Sequence, residues 1–329
     1  MNKTTLAAVG SLCLATLGLA QAPAAVPAPQ TTPAASLKVW IGRYGEFEDF
    51  LKTAPIVRMQ DIGTGVTHPR RAFFAAGGLA TSAIVKNLAP GVHGGFWDSY
   101  KSEIAAYELD KLLALDMVPP TVERRVEHDL VSVQLWVEDC RPLANVDQSQ
   151  RPDPVAWNHQ VYRQRIFENL IANIDENAGN ILVDPAWDII LIDHSRAFFS
   201  DHMPFEKVMT HIDRPLFDKL KALDEATLMA RLKPWVRSGG TVRDILKRRD
   251  KIVVHFEKLI GERGESVVIE PLRIAEALGC QLFEVGLYPA YSFRVVGDEE
   301  DVKEWLLAYD SEAWGPGLAP RYGAPRSGG

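Results

Sequence analysis

Two stretches of the chain place apolar residues three and four positions apart, the spacing of a helix with one buried face. The first runs from Asp98 to Leu115, with Asp98 or Ser99 as its N-cap, and the second from Asp153 or Pro154 to Ile174. Shorter patterns of the same kind predict helices at 45–52, 215–223, 225–236 and 241–259. The second half of the chain is therefore predicted to be mainly helical.

Short alternating or continuous apolar runs predict strands. In the first half they lie at 56–58, 71–74, 82–86 and 131–137, and the turn Gly77-Gly78 joins the second and third as a hairpin. Two further runs, 181–183 and 189–192, follow the second long helix and are separated by 185–187. A helix followed by a polar loop and a strand pair is the arrangement around which the chain is organised.

Three polar residues mark that arrangement. Asp175 and Asn180 stand in the order Asp-x-x-x-x-Asn, and Asp193 ends the second strand, so the hairpin brings all three to one point. Phosphoryl transfer from ATP uses such groups: an acid that orients the attacking hydroxyl, and oxygen ligands for Mg²⁺. On its own, the Asp-and-Asn loop also fits an ordinary surface turn, because both residues favour turns.

Asp175, Asn180 and the pair Asp193-His194 resemble the catalytic loop and metal-binding acid of the phosphatidylinositol 3-/4-kinase-like and actin-fragmin-kinase-like branch of the protein-kinase fold. In that branch an Asp-His pair commonly replaces Asp-Phe-Gly. The segments 192–198 (Ile-Asp-His-Ser-Arg-Ala-Phe) and 100–107 resemble uncharacterised bacterial members more closely still. The likeness spans roughly residues 40–265.

The resemblance implies an α+β, two-lobed protein-kinase-like fold: a small β-rich lobe with one helix, a helical large lobe, and a small C-terminal α/β appendage. We expect the small lobe at 37–138, the large lobe at 139–263 and the appendage at 264–314. The appendage would contain strands near 267–269, 282–285 and 291–296 and helices at 271–278 and 299–309. The Gly- and Pro-rich tail, 315–329, is predicted to be disordered.

The resemblance also assigns catalytic and metal-binding roles. Asp175 would orient or deprotonate the acceptor hydroxyl, and Asn180 and Asp193 would hold Mg²⁺ or Mn²⁺ against the phosphates of ATP. Lys86, at the end of a predicted strand, would neutralise the phosphates, and Glu103 on the next helix would position that lysine. The order of strand lysine and helix glutamate strengthens the kinase interpretation, although Lys86 alone also fits a solvated surface position.

Nucleotide contacts follow from the same resemblance. Backbone groups near Val137 and Glu138 would bind adenine at the hinge between the lobes, although a plain strand end predicts the same residues. Gly63 and Gly65 would let a loop approach the phosphates, but a Gly-x-Gly pair also suits a simple turn, and the full kinase Gly-x-Gly-x-x-Gly is absent. Lys101 is an alternative to Lys86, less suitable because it lies on the helix itself.

The N-terminus predicts export. A short positive start, an apolar run over 5–20 and Ala20-Gln-Ala22 form the pattern of a signal peptide at 1–22, followed by an Ala- and Pro-rich linker at 23–36. The mature protein would be periplasmic or secreted. If the apolar run is retained, it would anchor the protein and bring it near a membrane. Cys140 and Cys280 would then be either a disulfide or two buried thiols.

Composition narrows the classes of function. With 47% hydrophobic and 24% charged residues in 329, the chain is an ordinary globular protein, and a net charge of −7 without a long basic run argues against nucleic-acid binding. An EF-hand around Asp175 lacks the required Gly and Glu, and a metal-dependent hydrolase using Asp175, Asp193 and His194 lacks a histidine cluster.

An ATP-dependent kinase-like phosphotransferase remains the leading hypothesis. Its acceptor is open between a protein, a lipid head group and a small molecule. The main rival is an exported, inactive pseudokinase that serves as a binding module, because Asp175-Glu-Asn stands where phosphoinositide kinases have Asp-Arg-His and so lacks a cation beside the transferred phosphate. An enzyme that transfers AMP instead would use nearly the same residues.

Overall fold

The computed structural model describes residues 35–63, 69–93, 95–175, 177–198 and 204–269, and the backbone alone at 270, 282–288 and 291–296. The predicted signal peptide, most of the linker, Gly65, Cys280, the two appendage helices and the tail lie outside these residues. In the described part of the chain, no helix combines the length and apolar character needed to cross a membrane.

The described elements are fourteen strands, seven α-helices and three short 3₁₀ helices at Leu143–Asn145, Gln148–Gln150 and Glu206–Val208. The strands are β1 (Ile56–Asp61), β2 (Arg70–Phe74), β3 (Ser82–Lys86), β4 (Gly91–His93), β5 (Phe96–Asp98), β6 (Thr121–Val126), β7 (Asp129–Leu135), β8 (Arg141–Pro142), β9 (Ile181–Val183), β10 (Ile189–Leu191), β11 (Ile212–Asp213), β12 (Ile269–Glu270), β13 (Leu282–Tyr288) and β14 (Tyr291–Val296). The helices are α1 (Tyr44–Thr53), α2 (Tyr100–Leu113), α3 (Pro154–Ile171), α4 (Arg214–Ala222), α5 (Glu225–Leu232), α6 (Gly239–Arg263) and α7 (Glu265–Val268).

The first lobe is built on a five-stranded antiparallel sheet in the order β1-β2-β3-β7-β6. The predicted β2–β3 hairpin is confirmed, with Ala72 opposite Ala83. Strand β6 was not predicted, although it pairs with β7 along its whole length. Two helices, α1 and α2, pack against β6 and β7, where a small lobe with a single helix was expected.

Side-chain caps set where the two long helices begin. Ser99 caps α2 by accepting a hydrogen bond from the backbone N–H of Lys101, and Asp153 caps α3 through the N–H groups of Val155 and Ala156. Such caps satisfy backbone donors that the helix leaves unpaired. The predicted helices at these positions are confirmed, each with a C-terminus two or three residues earlier than expected.

The second lobe surrounds α3. Helices α4, α5 and α6 pack beside one another or against α3, and the β9–β10 hairpin extends the strand β8 as a small antiparallel sheet. Asp213 caps α4 at Leu216 and pairs with Arg163 of α3 at 2.7 Å. Its pKa is lowered, because the hydrogen bonds from His159 and Arg163 outweigh the effect of burial. This ion pair joins α4 to the helix that leads into the polar loop.

Helix α2 connects the two lobes. It packs on β6 and β7 of the sheet and on α4 and α5 of the helical lobe. Its predicted buried face is present: Ala105, Leu109 and Leu113 are buried in the larger core. A second core lies on the sheet, with Trp40 and Phe47 among its fully buried side chains. Side chains of α2 that face the first lobe are therefore held by packing on both sides.

The C-terminal region is described only in part. Val268 and Ile269 pack in the core of the helical lobe, and β12 pairs in parallel with β11. The backbone of β13 and β14 forms an antiparallel hairpin, which agrees with the two strands predicted there. Cys140 is half-buried and forms no disulfide among the described residues, and burial raises the pKa of its thiol to about 12.

Candidate active site

Lys86 lies between two acids from different elements. Its Nζ donates to Glu103 Oε1 at 2.6 Å and to Asp193 Oδ1 at 2.7 Å. The ammonium is almost fully buried, which opposes its charge, but the two carboxylates prevail and raise the pKa of Lys86. Likewise the pKa of Asp193 is lowered, since Lys86 outweighs the effect of burial. The strand lysine, the helix glutamate and the acid after the hairpin thus meet as one charged group.

Glu103 also holds the backbone of the Asp193 segment. Its second oxygen, Oε2, accepts a hydrogen bond from the backbone N–H of His194 at 3.0 Å. The His194 ring is fully buried, with Nε2 3.6 Å from Glu168 Oε1 on α3. Burial disfavours the charged ring, but Glu168 and Glu103 prevail and raise its pKa. Asp193 itself has φ of +63°, a left-handed conformation that an Asp tolerates better than most residues.

The polar loop meets the end of the hairpin through the backbone. The N–H of Ile192 donates to the carbonyl of Asn180 at 3.0 Å, which places Asn180 next to the strand that ends at Asp193. Asn180 Nδ2 donates to the carbonyl of Asp175 at 3.2 Å and so ties the loop together. The structure therefore brings Asp175, Asn180 and Asp193 to one edge of the helical lobe.

Arg196 supplies a cation beside Asp175. Its Nη1 lies 3.3 Å from Asp175 Oδ2, and its Nε donates to Asp98 Oδ1 at 2.9 Å. The Asp98 side chain is buried, whereas that of Asp175 is 43% exposed. A buried acid thus holds the arginine, and the arginine holds an acid that faces solvent.

Asn180 and Asp193 have oxygens that fit a divalent cation. The hydrogen bonds of these two side chains use Oδ1 of Asp193 and Nδ2 of Asn180. The other two oxygens, Asp193 Oδ2 and Asn180 Oδ1, accept no hydrogen bond from any described residue. Mg²⁺ favours oxygen ligands and commonly takes one or two from protein and others from substrate phosphates. No group of three or more His, Cys, Asp or Glu side chains suited to a metal occurs in the described ranges.

Of the residues predicted to contact the nucleotide, the structure describes Val137, Glu138 and Gly63 but not Gly65. The backbone N–H groups of Val137 and Glu138 have no hydrogen-bond partner among the described residues. The Glu138 carboxylate accepts from Thr81 and Trp136, so its side chain is already engaged. Gly63 has φ of +72°, which suits glycine, while Gly65 lies outside the described residues. Lys101 is directed at the Pro234 carbonyl, away from the Lys86 group.

Three residues of this centre were missed at the level of sequence. The sequence pattern places Arg196 within the 192–198 motif and Asp98 at a helix start, and it assigns no site role to either or to Glu168. Glu168 stands between the apolar positions Phe167 and Leu170 near the end of the helix, and an acid so placed is one signal, since buried acids are normally paired. The link between Asp98 and Arg196 spans 98 positions, and nothing in the local sequence reports it.

Solved structures of a similar fold include the Golgi casein kinase, with 14% identity and a TM-score of 0.53 over 69% of this chain and 79% of that one. The same kinase with Mn and ADP bound has 15% identity and a TM-score of 0.51 over 69% and 78%. Hydra Fam20 with sugar has 13% identity and a TM-score of 0.51 over 68% and 90%. No family model and no curated protein matches the chain.

These similarities define the class of fold. The antiparallel sheet lobe, the helical lobe and the similar structures together establish a mixed, kinase-like fold, as predicted. They support this fold in general and do not support the narrower phosphatidylinositol 3-/4-kinase-like or actin-fragmin-kinase-like branch. Because the identities are low, the likeness extends to the fold alone.

Proposed function

We propose that the protein is an ATP-dependent phosphotransferase that uses Mg²⁺ or Mn²⁺ and acts on a hydroxyl acceptor. One observation carries this proposal: Lys86 contacts Glu103 and Asp193 at the edge where Asp175 and Asn180 also lie. Phosphoryl transfer needs positioning and electrostatic stabilisation more than covalent chemistry, and these five side chains are of the types it uses. A similar fold has been solved with Mn and ADP bound, which supports the choice of ligand.

Each side chain has a proposed task. Lys86 binds phosphate oxygens, and Glu103 keeps its ammonium in place from the buried side. Asn180 and Asp193 supply the two oxygens that would hold a divalent cation, which neutralises charge on the phosphates when bound. Asp175, at the exposed end of the group, receives the proton of the acceptor hydroxyl or orients that hydroxyl.

Arg196 supplies a cation beside Asp175, and the lack of such a cation in the loop was the main reason to consider an inactive protein. The loop lacks a cation at the position that follows Asp175 in phosphoinositide kinases, but the guanidinium of Arg196 stands beside the same carboxylate. We propose that it fixes the orientation of Asp175 and stabilises negative charge near the transferred group.

Transfer of label from ATP tests the proposed reaction. The protein is incubated with Mn²⁺ or Mg²⁺ and ATP labelled at either the γ- or the α-phosphate, with acceptor candidates that include the protein itself. Incorporation of γ-label that falls about 10²- to 10⁴-fold in Asp175→Asn supports phosphoryl transfer with Asp175 as the orienting or general base group. Incorporation of α-label instead would identify AMP transfer and refute the proposed chemistry.

A further inference from the structure

A cavity of about 570 Å³ lies between the N-terminal ends of two helices, next to the segment that follows Arg196. Ser99, the N-cap of α2, and Ser238, the N-cap of α6, both line it. The two helices have 14 and 25 residues, and each helix N-terminus carries about half a positive charge from its aligned peptide dipoles. Two such ends at one cavity favour an anion.

Two cationic side chains line the same cavity. Lys101, in the first turn of α2, has its Nζ 3.5 Å from the Pro234 carbonyl, and the guanidinium of Arg237 lies 4.6 Å from the centre of the Trp97 ring. Asp244 is the one acid among the described lining residues, and it accepts a hydrogen bond from Lys247 at 2.9 Å. The net charge around the cavity is therefore positive.

Two buried residues of the lining carry hydroxyl groups that have no partner among the described residues. Ser102 of α2 is 5% exposed and Thr241 of α6 is 7% exposed, and neither side chain forms a hydrogen bond with any described residue. The two hydroxyl oxygens are not among the fully enclosed, unpaired side-chain atoms, so they are open to the cavity, where the oxygens of a ligand can accept from them. This observation is independent of the helix ends and points to the same site.

We propose that this cavity binds a phosphate group carried on a larger molecule. A phosphate monoester carries close to two negative charges at neutral pH, which suits two cations and two helix ends. The cavity is larger than a phosphate ion, and Trp97, Phe198 and Trp235 provide apolar contact for the rest of the ligand. None of the residues of the Lys86 group lines this cavity, and the inference does not depend on phosphotransfer.

Calorimetry on the full chain, in EDTA and at constant ionic strength, tests the site with inorganic phosphate and phenyl phosphate as probes. We expect phenyl phosphate to bind about 3- to 10-fold more tightly than phosphate, because its ring contacts the aromatic lining. Lys101→Gln and Thr241→Val should each weaken phenyl phosphate about tenfold or more, since each removes a donor to a charged ligand. Equal affinity for the two probes would assign the site to free phosphate.

Two controls make the test decisive. Lys258 is an exposed cation on α6, the helix that carries Thr241, and it pairs with Glu262. Lys258→Gln should leave the affinity for phenyl phosphate unchanged. Asp193→Asn alters the proposed metal site and should also leave phenyl phosphate binding unchanged. If wild-type protein binds neither probe, or if Asp193→Asn abolishes binding while both cavity variants retain it, the cavity is not a phosphate site. Ser102→Ala offers a second hydroxyl variant should Thr241→Val fail to fold.

Discussion

Arg196 contacts an acid on either side through two different nitrogens of one planar guanidinium. Its Nε donates to the buried Asp98 at 2.9 Å, while Nη1 reaches Asp175 at 3.3 Å. The guanidinium is planar and presents its donors in a fixed fork, whereas the ammonium of a lysine is a single point of charge on a flexible stem. The position of Asp175 therefore depends on the shape of Arg196 as well as on its charge.

We predict that Arg196→Lys lowers kcat about 10- to 100-fold and leaves the affinity for metal–ATP within about threefold, because misplacement of a reacting group slows the chemical step more than binding. Steady-state kinetics with calorimetry measures both quantities. Arg243→Lys, an exposed change on α6, serves as the control and should alter neither. A large loss of nucleotide affinity in Arg196→Lys with kcat unchanged would contradict the positioning role.

Asp110 is a buried acid whose ionisation depends on the fold. Burial raises its pKa to about 7, and the opposing backbone hydrogen bonds from Met117 and Val118 do not restore its ordinary value. Both N–H groups donate to the same oxygen, Oδ1. An asparagine in this place keeps that acceptor and has no charge to bury.

The pH dependence of stability should reveal this group. Because the folded protein binds the Asp110 proton more tightly than the unfolded chain, its contribution to stability is lost as the pH rises from about 4 to about 7, by roughly 4 kcal/mol at most. Denaturant unfolding at several pH values should show Asp110→Asn losing less stability over this range than the wild type. Asp129→Asn, at an exposed residue that begins β7, should follow the wild-type profile; if Asp110→Asn also follows it, the shift is absent.

The site residues differ in how far sequence determines them. The order of a strand lysine before a helix glutamate was sufficient to suggest Lys86 and Glu103, and the two side chains do meet at 2.6 Å. The contact of Glu103 with the backbone of His194 could not be predicted, since it joins residues 91 positions apart and depends on how α2 sits between the lobes. Long-range pairing is set by packing, which local patterns do not report.

At the scale of elements, α2 ends at a residue whose conformation favours glycine. Its C-cap, Ala114, is exposed and has φ of +52°. Alanine in the left-handed region clashes with its own carbonyl, and glycine does not.

We predict that Ala114→Gly raises the free energy of unfolding by about 0.5–1 kcal/mol, the steric relief exceeding the added entropy of the unfolded chain. Chemical denaturation measures this change. The matched control is Ala230→Gly, an exposed alanine inside α5, which should lower stability by about 1 kcal/mol. A loss of stability in both variants would show that the strain at Ala114 is relieved in another way.

The start of a helix was predicted correctly where a capping residue directly preceded the apolar helical pattern. Ser99 and Asp153 begin α2 and α3 as expected. Strand β6 was missed because Thr121–Val126 contains three consecutive charged residues, which weaken an alternating pattern. Helix α5 ends at Leu232, four residues before the predicted end, at a segment that includes Pro234, which cannot continue a helix.

At the scale of the whole molecule, α2 couples the sheet lobe to the helical lobe at the site. Glu103 holds Lys86 of the sheet with one oxygen and the backbone of His194 with the other. A shift of one lobe against the other would break one of these contacts inside a buried region. The geometry of the Lys86 group thus depends on the relative position of both lobes.

Several expectations about the whole chain remain predictions. Export through a signal peptide at 1–22, the lobe boundaries, the residues of the appendage beyond its hairpin and the nature of the acceptor are not addressed by the described residues. The fold class could be predicted because the motifs around Asp175, Asn180 and Asp193 resemble those of kinase-like proteins. The identity of the acceptor depends on surface features that these motifs do not encode.

The proposed function requires that Asn180 and Asp193 bind a metal–nucleotide complex while Asp175 acts on the acceptor. Calorimetry with ATP and Mg²⁺ or Mn²⁺ on the wild type, Asp193→Asn and Asp175→Asn measures whether they do. We predict binding by the wild type, little or none by Asp193→Asn, and near-wild-type affinity for Asp175→Asn. Absence of binding by the wild type with either metal would contradict the claim and indicate a binding module on a kinase-like scaffold.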